Sequence, residues 1–218
     1  MLLIIDSCLT LVALLNLAML ATSRLSAYIR IFAAQSFLLA LLPTALQFQP
    51  TQVLGAHAIG ITAGTIVFKV VVIPRILLRL LRSGEIHVEI EPFLGFTASV
   101  LFGGVITIAS FGLAGHLLLP VEPVTDLILP VALATVLIGL LILVSRLKAI
   151  TQVLGYLVVE NGVFAFGLLL LEQMPGMVEM AILLDLFVAV FIMGIVVYHI
   201  RREFDHMDTH LLDALKES

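Results

Sequence analysis

Residues 127–145 read LILPVALATVLIGLLILVS, with no charged side chain between Asp126 and Arg146. At a rise of ~1.5 Å per residue such a helix is about 30 Å long, the thickness of a bilayer's hydrocarbon core. Working outward from this stretch, runs of the same kind follow one another over the whole chain, at 3–22, 27–47, 53–78, 93–119, 125–145, 149–171 and 177–200. Hydrophobic residues make up 61% of the 218 and charged residues 12%, too little polar surface for a globule in water. The expectation is an all-α, polytopic transmembrane bundle of about seven spans over 1–203, followed by a short tail, 204–218. The first run has neither a basic leader nor a small-residue cleavage site, so it reads as a permanent span.

The short breaks carry turn and capping residues: Ser23 and Ser26, Pro50, Ser83 and Gly84, Pro120 and Pro123, Lys148, then Pro175 and Gly176. Basic residues sit at alternate breaks. Arg24 and Arg30 flank the first, Arg75, Arg79 and Arg82 the third, Arg146 and Lys148 the fifth, and Arg201, Arg202 and Lys216 follow the last run. By the positive-inside rule the amino terminus is outside and the carboxyl terminus cytoplasmic, which requires an odd number of spans. Two cytoplasmic segments are then large enough to dock a partner: the third break, with Glu85, His87, Glu89 and Glu91, and the tail, where Met207, Leu211, Leu212 and Leu215 recur at near-helical spacing. A solvated loop and a frayed end are the plainer alternatives.

Several functions are excluded. A net charge of −4 leaves no basic footprint for nucleic acid, and there is no Walker loop, GxGxxG or HExxH. Cys8 is the single cysteine, so no Cys-ligated iron–sulfur cluster or zinc site can be built, and no cofactor or metal is expected in this chain. No internal repeat of the kind that builds many autonomous transporters is evident.

Three ionisable residues fall inside the apolar runs: Lys69, Glu160 and Asp185. A charge at the bilayer centre costs roughly 2.5–3.5 kcal/mol on insertion scales, so these side chains are expected to face the bundle interior, a partner or water. Glu160, eleven residues beyond the fifth break, lies near the midplane, and Asp185 returns on the next helix, so the two acids can come within a water or two of each other. They read either as a proton relay or as neutral, hydrogen-bonded interhelical glue. Lys69 either snorkels toward the Arg75 end or turns inward, to titrate or to pair with an acid of a partner subunit. Pro74 beside it is placed to kink its helix. His57 and His116 read as interfacial, and Gly60 with Gly64, and Gly103, Gly104, Gly112 and Gly115, as smooth packing faces.

Phe68-Lys69-Val70-Val71-Val72-Ile73-Pro74-Arg75, Gly155-Tyr156-Leu157-Val158-Val159-Glu160-Asn161-Gly162 and Ala181-Ile182-Leu183-Leu184-Asp185 together resemble hydrogenase-4 component E, a membrane subunit of formate hydrogenlyase-type group 4 hydrogenase complexes. The last three runs, 125–200, also resemble the K subunit of bacterial complex I and the C subunit of Mrp-type antiporters. The resemblance implies a proton or ion pathway through Glu160 and Asp185, with Asp standing where the K subunit has Glu; Lys69 has no counterpart there. It further implies a prokaryotic inner-membrane subunit, neither metal-binding nor catalytic by itself, held in the lipid bilayer among antiporter-like subunits and joined to a soluble hydrogenase-like arm. A non-conducting scaffold and a small independent transporter remain as alternatives.

Overall fold

A computed structural model describes residues 2–47, 56–83, 95–117, 123–146 and 148–170, with the isolated positions 187 and 194. The expected seventh helix, Asp185, the tail and the acidic third break lie outside the described residues. Within them every element longer than a turn is helical: α1 (Leu2–Ala21), α2 (Leu25–Gln47), α3 (Ala56–Thr65), a π-helical turn (Ile66–Val72), α4 (Ile73–Ser83), α5 (Phe96–Ala114), α6 (Ile128–Ser145) and α7 (Ala149–Gly167), which tightens into a 3-10 turn at Leu168–Leu170. Five of these, α1, α2, α5, α6 and α7, are long and apolar enough to cross a membrane.

The third helix differs from the sequence expectation. It was expected over 53–78 with Arg75, Arg79 and Arg82 flanking a break, but the helical path from Ala56 continues through Ser83 and carries all three arginines. The cause is amphipathicity: Arg75 and Arg79 are exposed on one face while Ile73 and Leu77 are buried on the other. The fourth helix is shorter than expected, Phe96–Ala114 in place of 93–119.

Four helices form the centre. The short breaks at 22–24 and 146–148 fold α1 back on α2 and α6 back on α7. The two hairpins lie side by side, with α1 beside α6 and α2 beside α7. Contacts at both ends of α1, from Thr125 to Asp6 and from Arg146 to Leu20, make α1 and α6 parallel. The α3–π–α4 rod packs on α2, and α5 on α1 and α6.

The α6–α7 contact is the tightest, because glycine removes the side chains between two backbones. A Cβ at Gly139 would stand 2.6 Å from the Val159 nitrogen, and one at Gly162 2.6 Å from the Val136 nitrogen. Among the described residues, the close approach expected at the glycines of the third and fourth runs occurs at Gly103, pressed against Leu20 and Leu17, while nothing lies within 4 Å of a Cβ built at Gly60, Gly64, Gly104 or Gly112.

The core is layered. One apolar cluster contains Met19, Leu20, Tyr28, Phe32, Ile73, Leu77, Ile138, Ile142, Leu154 and Val158, toward the end where α1 and α6 finish. The other contains Ile5, Leu9, Leu39, Leu42, Leu129, Val131, Phe164 and Leu168, toward the opposite end. Each central helix passes from one cluster to the other through a single polar level: Asn16 on α1, Gln35 and Ser36 on α2, Thr135 on α6, Glu160 and Asn161 on α7, every one of them buried.

Candidate functional site

Glu160 and Lys69 meet at that level. Lys69 Nζ stands 3.7 Å from Glu160 Oε2, with the two side chains 6% and 4% exposed. Lys69 therefore does not snorkel toward Arg75; it turns into the bundle. The local backbone explains how. Pro74 has no N–H and its ring crowds the carbonyl four residues back, so the helix widens just before it. The Ile73 N–H reaches five residues back to the Phe68 carbonyl, a π-type bond, and Lys69 lies at the centre of the widened turn. Glu160 arrives by a different route: Gly155 and Gly162 flank it on α7 and hold that helix against α6, whose Leu143 and Val136 backbone nitrogens lie opposite them.

Beside the pair runs a chain of hydrogen bonds that crosses all four central helices in one direction. Asn161 Nδ2 donates to Gln35 Oε1 (3.3 Å) and to Ser36 Oγ (2.9 Å). Gln35 Nε2 donates to Asn16 Oδ1 (2.6 Å), and Asn16 Nδ2 donates to Thr135 Oγ1 (2.8 Å). Thr135 passes its own proton to the Val131 carbonyl at 2.7 Å, ending on backbone. In an apolar surrounding each of these groups would be costly alone, and together they satisfy one another. Primary amides neither gain nor lose a proton near neutral pH, so this girdle fixes helix rotation without itself carrying charge. Because Asn161 follows Glu160 directly, tying Asn161 to α2 also fixes the direction of the carboxylate.

The girdle is what sequence reasoning missed. Asn16, Gln35 and Thr135 are uncharged, and attention to charge in the apolar runs passes over them; Asn161 appeared only as a letter in a motif. A search for polar side chains at mid-run would have found all four.

A third feature lies one level away. Arg146, just past α6, is 1% exposed. Its Nη2 donates to the Leu20 carbonyl at 3.2 Å and its guanidinium carbon lies 5.2 Å from the centre of the Phe96 ring. Burial pushes its pKa below the ordinary guanidinium range, with Tyr28 acting in the opposite sense. At the other end of α1, the Thr125 hydroxyl donates to the Asp6 carboxylate. No metal-binding group of three or more His, Cys, Asp or Glu occurs among the described residues. His116 is exposed beyond the end of α5.

The fold and site define a class: a polytopic helical chain with several membrane-length helices, built round a buried Lys–Glu pair and a girdle of amides. Comparison with known proteins narrows it. The chain is 28% identical to hydrogenase-4 component E of Escherichia coli (strain K12) over 155 residues, 71% of this chain and 72% of that protein. The same figures hold for hydrogenase-4 component E of Shigella flexneri. It is 33% identical over 129 residues to the uncharacterized protein Rv0085 of Mycobacterium tuberculosis, covering 59% of this chain and a little over half, 57%, of that relative. Of these relatives it is hydrogenase-4 component E whose similarity extends over about seven tenths of both chains. No protein-family model matches the chain, and no solved structure matches it.

Proposed function

We propose that this chain is a membrane subunit of a hydrogenase-4-type, complex I-like redox complex, in which it moves protons or another cation in step with electron transfer. The observation that carries the reading is the Lys69–Glu160 pair, buried at 3.7 Å between two apolar clusters. A buried ion pair recovers its desolvation cost incompletely, so it is weak evidence for stability and stronger evidence for use. A carboxylate facing an ammonium can take up the proton that the ammonium gives up, leaving a neutral acid beside a neutral amine. The pair thus has two states of equal net charge between which a proton can pass. Asp185 is proposed as a further member of the pathway, by its resemblance to the second membrane acid of the complex I K subunit. The proposed topology is seven spans with the amino terminus outside and the Arg24, Arg146 and Arg202 ends in the cytoplasm of an inner membrane. Antiporter-like membrane subunits and a soluble hydrogenase-like arm are the proposed partners.

The test is proton pumping in membrane vesicles at matched complex abundance, with electron transfer to an artificial acceptor measured alongside. Glu160→Gln is expected to lower pumping at least tenfold while leaving electron transfer to that acceptor running, with Glu160→Asp intermediate and Asp185→Asn a smaller loss of the same kind. Full pumping in Glu160→Gln would leave the pair as interhelical glue and the chain as a scaffold.

A further inference from the structure

Arg146 has no part in the pathway just described, and its position is physically expensive. At the end of a span a long basic side chain ordinarily extends to water. Arg146 instead lies buried across the last turn of α1: its Nη2 donates to the Leu20 carbonyl, one helical turn, roughly 6 Å, from Asn16 of the girdle. Its Nε and Nη1, the Tyr28 hydroxyl and the Ser145 hydroxyl are all buried without hydrogen-bond partners. Arg146 makes no ion pair with a described residue; the groups that meet it are a carbonyl, the Phe96 ring face and the Tyr28 phenol. The carbonyl dipole at the end of α1 and the ring face offset its charge in part, and it is held in a largely apolar setting where its field is little screened. A positive charge placed this way opposes entry of any second cation into the seam between α1 and α6.

We infer that Arg146 is a specificity-determining residue, a fixed-charge barrier that keeps protons and hydrated cations from entering the central bundle through the end where α1 and α6 finish. Glu160 is then served from the Lys69 side, and the girdle stays out of contact with the aqueous phase at that end. The inference rests on the reading of the bundle as ion-conducting, but its readout is separate. Passive leak needs no electron donor, whereas pumping does.

The experiment imposes a pH step across vesicles carrying the assembled complex, with no donor present, and follows the decay of the gradient. Arg146→Gln is expected to raise passive proton conductance about tenfold and Arg146→Lys to stay within about twofold of the native protein, since Lys keeps the charge. Phe96→Glu keeps the guanidinium but sets a carboxylate where the ring now faces it, and is expected to leak like Arg146→Gln; it decides the matter if Arg146→Gln does not assemble. Tyr28→Phe removes a hydroxyl without changing charge and is expected to remain tight. Native leak in Arg146→Gln or Phe96→Glu at matched abundance would overturn the inference. So would Arg146→Lys leaking as much as Arg146→Gln, because packing and not charge would then make the seal.

Discussion

The two halves of the buried pair are delivered by regions of opposite character. Glu160 rides on α7, which is pressed backbone to backbone against α6 through Gly139, Gly155 and Gly162. Lys69 rides on the α3–π–α4 rod, where Gly60 and Gly64 face open space and the helix is widened around the lysine itself. Close packing leaves a helix one arrangement, while a π-type turn beside proline has lost regular hydrogen bonds and has less to hold it. In this pair the carboxylate is the fixed member and the ammonium the adjustable one.

That contrast can be broken most directly at the glycines. Gly162→Leu puts a side chain where the Val136 backbone already stands at 2.6 Å from the Cβ position, and the expected outcome is loss of assembled protein by tenfold or more, read as complex abundance in membranes. An effect as small as that of a change on α3 would mean that the α6–α7 contact is not what fixes Glu160. Next in size is the girdle. Gln35→Leu removes one of the two acceptors of Asn161 and the donor to Asn16 together, and is expected to cost about 1–3 kcal/mol, seen as earlier thermal unfolding in detergent. Pumping at matched abundance should fall only about twofold, since Asn161 keeps its bond to Ser36 and with it the tie of α7 to α2. Gly64→Ala is the smallest: with nothing within 4 Å of its Cβ position, abundance and pumping should both stay within about twofold of native. A large loss there would show that the rod is as tightly held as α7 and remove the distinction between fixed and adjustable partners.

How much of this could be read in the sequence follows from which physical signals are strong in one dimension. Apolar runs report membrane-length helices directly, and the first, second, fifth and sixth expected spans lie within a few residues of α1, α2, α6 and α7. The third run ends too early at Leu78 because Arg79 reads as an edge in one dimension, when it belongs to one face of an amphipathic continuation. Lys69 and Glu160 were visible individually through the cost of burying charge. Their pairing was not, since it depends on the widened turn before Pro74 and on which face α2 offers to each. The girdle was legible only as scattered polar letters, because a hydrogen bond between Asn16 and Thr135 spans 119 positions of sequence. The glycine contacts are legible only in part: Gly103 meets α1 as its run suggests, while Gly139, Gly155 and Gly162 stand out only once α6 and α7 lie together, because spacing alone does not say which glycines meet a neighbour.

The central claim is that Lys69 and Glu160 form one functional unit, and a double-mutant cycle tests it most directly. Abundance and proton pumping would be measured in the same vesicles for Lys69→Met, Glu160→Gln and the two combined. Each single change leaves one buried charge uncompensated, so abundance is expected to fall severalfold in both and to recover in the double mutant, while pumping stays at least tenfold down in all three. A double mutant no more abundant than the product of the singles would show that the two residues do not pair. Native pumping in the double mutant would show that the pair is not the route of the proton.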